Sequence, residues 1–222
     1  MLSYLDCIIF PDRCEVIEVV PSQRYVYPIF KNASSSLHYQ AIQSSWRIII
    51  NEQIKKLSHI EVILRDPQQR LVSGFNTFIQ HVLQDNPELD QNTVVWFAKN
   101  YLFLDRHYCP QFFWLINLSR YLSPDTVLTF RPMDCVADIA LLHKLPEGIT
   151  PPTEDIVQQA LSIPNIEMYQ RLDQSLFDQC MGRSMTFGQL LNTLRQQDPT
   201  AYDWVIGRSQ RILNSTHVLP QT

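Results

Sequence analysis

His59-Ile-Glu-Val-Ile-Leu64, followed directly by Arg65-Asp-Pro-Gln-Gln-Arg70-Leu-Val-Ser73, decides the reading of the fold. The first six residues are a nearly unbroken apolar run, the pattern of a strand buried on both faces. Pro67 stands where the first turn of a helix tolerates it. Leu71, Phe75, Phe78, Ile79 and Val82 then continue as an apolar stripe at helical spacing. A strand therefore ends in an arginine, and the helix it feeds carries Arg70 and Ser73 one turn apart. Two guanidinium groups, a hydroxyl and a helix N-terminus at one sheet edge suit a terminal phosphate.

Working outward, a second anion loop, Lys31-Asn-Ala-Ser-Ser-Ser36, lies at another strand-to-helix junction. Arg24-Tyr-Val-Tyr-Pro-Ile-Phe30 reads as the first strand of the core, and residues 34 to about 44 as the helix after it. The serines fall at that helix's N-terminal turn, where such residues cap well. Trp46-Arg-Ile-Ile-Ile50 and Thr126-Val-Leu-Thr-Phe130 are further strands, and residues 92 to about 104 and 133–143 further helices. Strands alternating with helices predict an α/β fold with a central, mainly parallel sheet flanked by helices. Leu145-Pro-Glu-Gly-Ile-Thr-Pro-Pro152 is the clearest linker, and beyond it the pattern is helical only (about 153–162, 165–180, 186–196 and 199–213). The whole, residues 1–222, reads as one domain, with a core at about 24–145 and a helical C-terminal extension at about 146–222.

Composition narrows the function classes. Hydrophobic residues make up 45% of the 222, which predicts a packed core rather than disorder. A net charge of −4 argues against a broad nucleic-acid-binding face, so any anion recognition must come from a few placed residues. Cys7, Cys14, Cys109, Cys135 and Cys180 are odd in number and show no metal-ligand spacing, as expected of reduced thiols in a cytoplasmic protein. Cys7 and Cys14 could bridge in an oxidising setting. The first ten residues are interrupted by Asp6 and do not read as a signal peptide, and no run approaches transmembrane length. No GxxxxGK[ST] occurs, and the loop from Lys31 to Ser36 has no glycine, which weighs against a nucleotide kinase.

Three blocks, in order, resemble the carbohydrate-type sulfotransferases that use 3′-phosphoadenosine-5′-phosphosulfate (PAPS). Phe30-Lys-Asn-Ala-Ser-Ser-Ser36 is similar to their 5′-phosphosulfate loop, often written PKxxSTS. Arg65 to Ser73 is similar to the 3′-phosphate motif RxPxxRxxS, and Asp105-Arg-His-Tyr-Cys-Pro-Gln111 resembles an HWxPQ block. Phe30 replaces the usual proline, Ser35 the common threonine and Tyr108 the usual tryptophan. The resemblance covers residues 24–145, and in the tail it extends only to Tyr169-Gln-Arg-Leu-Asp-Gln-Ser-Leu-Phe177.

The resemblance implies a P-loop NTPase-like sulfotransferase fold and transfer of a sulfuryl group from PAPS to an acceptor hydroxyl, releasing adenosine 3′,5′-bisphosphate (PAP). The acceptor it implies is a carbohydrate, with no metal required; the absence of a nucleic-acid or membrane partner is expected from the charge and from the lack of a transmembrane run. Lys31 is the residue placed to stabilise the bridging oxygen, and Asn32, Ala33, Ser34, Ser35 and Ser36 to hold the 5′-phosphate. Arg65 and Ser73 would take the 3′-phosphate, joined by Arg70 unless that residue makes a structural ion pair. His107 is the candidate general base, since imidazole titrates near neutrality. Asp105 is next, as base or as the group orienting His107, and His38 third. His59, His81, His143 and His217 have no motif context. Tyr101, Phe103, Tyr108, Phe112, Phe113 and Trp114 could stack a sugar or adenine, although core packing is the default reading. The alternative function is a catalytically inactive, sulfotransferase-like protein that binds a nucleotide or a partner.

Overall fold

The structure, a computed structural model, describes residues 14–29, 31–100, 105–138 and 149–216. The first half contains β1 (Glu15–Val19), β2 (Arg24–Tyr27), α1 (Ser34–Gln43), β3 (Arg47–Ile50), β4 (His59–Leu64) and α2 (Pro67–Asp85). Then come α3 (Gln91–Asn100), α4 (Gln111–Ser119) and β5 (Val127–Pro132). The tail supplies α5 (Glu154–Leu161), α6 (Ile166–Cys180), β6 (Ser184–Thr186), α7 (Phe187–Gln197) and α8 (Pro199–Thr216).

The six strands form one sheet in the order β3-β1-β2-β4-β5-β6. Only the central three are parallel: Val26 lies opposite Glu61, and β4 pairs with β5 from His59↔Val127 to Leu64↔Pro132. β1 is antiparallel to both β2 and β3, and β6 is antiparallel to β5. The protein is therefore mixed α/β, and the expectation of a mainly parallel sheet is corrected at both edges. Two short strands account for this. β1 precedes the strand taken as first, and β6 interrupts a tail read as helical only. Its three residues are too few to show a period of two.

Side chains alternate between the faces of a strand. Ile17, Val19, Val26 and Ile63 meet Leu37 and Ala41 of α1 on one face. Val16, Tyr27, Ile60, Val62 and Leu64 join a larger core on the other face, built with residues of α2 to α8. In β4 every residue after His59 is buried, as its apolar run predicted. Leu71, Phe75, Phe78, Ile79 and Val82 of α2 are buried too. β2 thus feeds a helix on one face while its parallel neighbour β4 feeds a helix on the other. In open α/β sheets a crevice forms outside the carboxyl ends of such a strand pair.

The tail is part of the main body. Tyr169 of α6 packs against Phe113 of α4 and edge-on to Trp204 of α8. The Thr150 carbonyl, at the end of the expected linker, accepts from both Asn76 and Gln80 of α2. A 3₁₀ turn spans Met133–Asp138 where a helix to residue 143 was expected; the rest of that segment, like Phe30, Tyr101, Phe103, His143 and His217, lies outside the described residues. Cys14, Cys109, Cys135 and Cys180 are free thiols, and Cys7 lies outside the described residues. Among the described residues, no helix is long and apolar enough to cross a membrane.

Candidate anion-binding site

The first wall of the crevice is the turn between β2 and α1. Lys31 and Ala33 both hold left-handed backbone (φ 67° and 63°), with a negative-φ residue, Asn32, between them. Such alternation turns successive N–H groups toward one point and forms an anion-binding nest. For residues other than glycine it costs about 1–2 kcal/mol each. Ala33 is the N-cap of α1 and has no side chain to satisfy the first N–H groups of the helix. Ser34, Ser35 and Ser36 form the first turn of α1, as expected, while the cap position itself falls to Ala33; Ser34 and Ser36 are buried and Ser35 is exposed. Asn32 is wholly buried and pins the turn from below. Its amide donates to the Ile63 carbonyl (2.8 Å) and to Gln111 Oε1 (2.6 Å), while its own buried Oδ1 has no hydrogen-bond partner.

The second wall is the turn between β4 and α2. Asp66 caps α2 by accepting from the Gln69 N–H (2.8 Å), so this helix N-terminus is closed by its own residue. Arg65 makes no ion pair with Asp66. Its Nη1 reaches across to the Lys31 carbonyl (3.3 Å), and its buried Nε has no hydrogen-bond partner. The Lys31 ammonium donates to Thr77 Oγ1 (2.8 Å), and that hydroxyl donates to the Ser73 carbonyl (2.8 Å). Ser73 is half-buried on the same stretch of α2.

Lys31, Arg65 and Arg70 lie within one another's fields. Burial, then the charges of Arg65 and Arg70, push the Lys31 ammonium down to about 8, with Asp105 acting in the opposite direction. Burial and Arg70 likewise lower Arg65. Neither Lys31 nor Arg65 is in an ion pair among the described residues. Cations crowded in this way gain from a bound anion. Arg70 is different. It is 1% exposed, donates to the Cys109 carbonyl and feels the charge of Asp173, so it braces the segment after Asp105.

That segment is the third wall. Asp105 is 2% exposed and accepts from both the backbone N–H (2.6 Å) and Nδ1 (2.7 Å) of His107. It therefore orients the ring. Gln111 ties the first two walls together: Oε1 accepts from the Arg65 N–H (3.0 Å) and from Asn32, and Nε2 donates to the Arg65 carbonyl (2.9 Å). α2 lies so close to this segment that a Cβ on Gly74 would meet the His107 carbonyl oxygen at 2.0 Å. Only glycine allows that approach.

The structure brings Lys31, Arg65, Asp105 and His107 together, with Asn32 and Arg70 beneath, and Ser73 is linked to them through its carbonyl by way of Thr77. His38 is held between the Ser34 carbonyl and Glu15, each at 2.9 Å. Tyr108 is no open shelf: it is buried edge-on to Phe75 and Phe78, and its hydroxyl donates to the Ala98 carbonyl. Phe112 and Phe113 are also core residues.

Sequence reasoning missed Thr77, Gly74, Asp173 and His81. His81 stacks edge-on against His107 (5.8 Å), and burial with the His107 and Lys31 charges lowers its pKa. Its position two turns after Ser73 and one turn after Thr77 was the available signal. The chain matches no protein-family model, no curated protein and no solved structure.

Proposed function

We propose that this chain is a sulfotransferase of the P-loop-like kind, moving a sulfuryl group from PAPS to an acceptor hydroxyl on a carbohydrate and releasing PAP. One observation carries the reading: Lys31 and Arg65 converge, with no carboxylate partner among the described residues, beside the uncapped, left-handed N-terminus of α1. In this reading the N–H groups of residues 33–36 hold the 5′-phosphate, and Arg65 with Ser73 takes the 3′-phosphate. The acceptor oxygen attacks sulfur as the bond from sulfur to the 5′-phosphate oxygen breaks. Lys31 moves from Thr77 to that leaving oxygen, where charge builds. His107, oriented by Asp105, receives the acceptor proton. Losing a stabiliser of developing charge costs on the order of 10²–10³ in rate, which is the expectation for Lys31→Ala.

Calorimetric titration of PAP into the wild type, Lys31→Ala and Arg65→Ala tests the site. Micromolar binding that weakens roughly 10–100-fold in Arg65→Ala supports it, the size expected for charged hydrogen bonds. No binding to the wild type would sink the reading. Tight binding without transfer of labelled sulfuryl group to any glycan would point to a nucleotide-binding protein instead.

A further inference from the structure

The residue that links the helical tail to this crevice is Asp173, in the middle of α6. It is 4% exposed, and its two oxygens accept from the first two N–H groups of α4: Gln111 N at 2.7 Å and Phe112 N at 2.9 Å. The local N-cap of α4 is Pro110, which provides no side-chain cap. A carboxylate from 62 residues away therefore does what a neighbouring Ser or Asp does elsewhere. The helix start it fixes carries Gln111, whose side chain in turn grips Asn32 on one anion loop and both backbone groups of Arg65 on the other. Arg70, beneath, shares the field of the same carboxylate.

We infer that Asp173 is a positioning residue of the anion site: by capping α4 it holds Gln111 as the spacer between the Lys31 loop and Arg65, so the tail sets the distance between the two phosphate positions. The inference rests on the proposed PAP site for its functional meaning. The mechanical link stands on hydrogen bonds alone. Both polar atoms of the Gln111 side chain are engaged, and removal of one member of such a chain of bonds loosens those downstream.

The test is Asp173→Asn, which keeps the shape of the side chain and one acceptor. Amide hydrogen exchange of the variant is compared with wild type. The Arg65 amide is expected to exchange about tenfold faster, while Leu128 and Phe130 in β5 keep their protection. PAP affinity is expected to fall about tenfold, and the double variant with Gln111→Ala to bind no more weakly than Gln111→Ala alone. An unchanged Arg65 amide in the folded variant, or additive losses of affinity, would overturn the inference. If Asp173→Asn does not fold, Gln111→Ala replaces it, since that change leaves the carboxylate on both backbone amides and cuts only the spacer. Unchanged Arg65 exchange there overturns the inference equally. Failure of wild type to bind PAP removes the functional reading, and the Arg65 amide still decides the role of Asp173.

Discussion

The two strand-to-helix junctions that face the crevice solve the same local problem in opposite ways. At β4–α2 the helix is closed from within: Pro67 opens it, Asp66 caps it, and Arg65 presents a side chain. At β2–α1 the helix is left open, with a left-handed Ala33 in the cap position and no side-chain oxygen to replace a ligand. A self-capped helix needs nothing further, whereas an uncapped one with two strained residues before it gains from an anion. The difference divides the labour in the proposed site: β2–α1 offers backbone N–H groups, β4–α2 a guanidinium.

The comparison breaks most readily at the point that holds the closed junction in place. Gly74→Ala puts a Cβ on the His107 carbonyl and is expected to destabilise the protein by about 3 kcal/mol in urea denaturation, at the upper end for overpacking. A loss below about 1 kcal/mol would mean that the segment after Asp105 yields and does not fix the spacing of the walls.

Next in size is the proton linkage at the open junction. Lys31 is lowered from 10.5 to about 8, so between these values the unfolded chain binds more protons than the folded one. Its contribution therefore makes stability rise with pH across that window, and Lys31→Met is expected to abolish this part of the slope. An anion seated on Lys31 raises its pKa again. Calorimetry near pH 8 in buffers of different ionisation heat should then show proton uptake on PAP binding, a range in which phosphate itself, with a second pKa of about 6, is already ionised. Absence of uptake would place the anion away from Lys31.

The two caps give the smaller effects, of opposite sign. Asp66→Ala removes a working cap and is expected to lower stability by about 1 kcal/mol in thermal unfolding. Ala33→Gly relieves left-handed strain, partly offset by the entropy of glycine, for a gain of about 0.5 kcal/mol. If Ala33→Gly destabilised instead, the turn would owe its shape to alanine packing and not to strain held for a ligand.

Much of the sheet was legible in the sequence. β4 announced itself by an apolar run long enough to exclude a half-buried alternation, and α2 by a stripe at helical spacing behind Pro67. β1 and β6 were not legible: β6 has three residues and owes its state to pairing with β5, and β1 owes its state to pairing with both β2 and β3. In the same way α4 was read only as an aromatic-rich stretch, because its apolar residues surround the helix instead of forming one stripe. At the candidate site, Lys31 and Arg65 were legible through their strand-to-helix junctions, and His107 only through the resemblance carried by residues 105–111. His81 and Thr77 were missed because neither has a motif, and their spacing from Ser73 along α2 was the one signal that could have found them.

By itself, then, the sequence determined the local terms: which segments bury both faces, where a proline permits a helix, and which cations end their strands. Tertiary structure alone decided which of those cations serve the crevice. It buried Arg70 under the Cys109 carbonyl and left Arg65 and Lys31 without carboxylate partners among the described residues. It also brought Asp173 across 62 residues to cap a helix whose own N-cap is a proline. The physical reason is range. Helical and strand patterns act over a few residues, whereas desolvation, charge crowding and a cap supplied from afar exist only once distant segments share a low-dielectric interior.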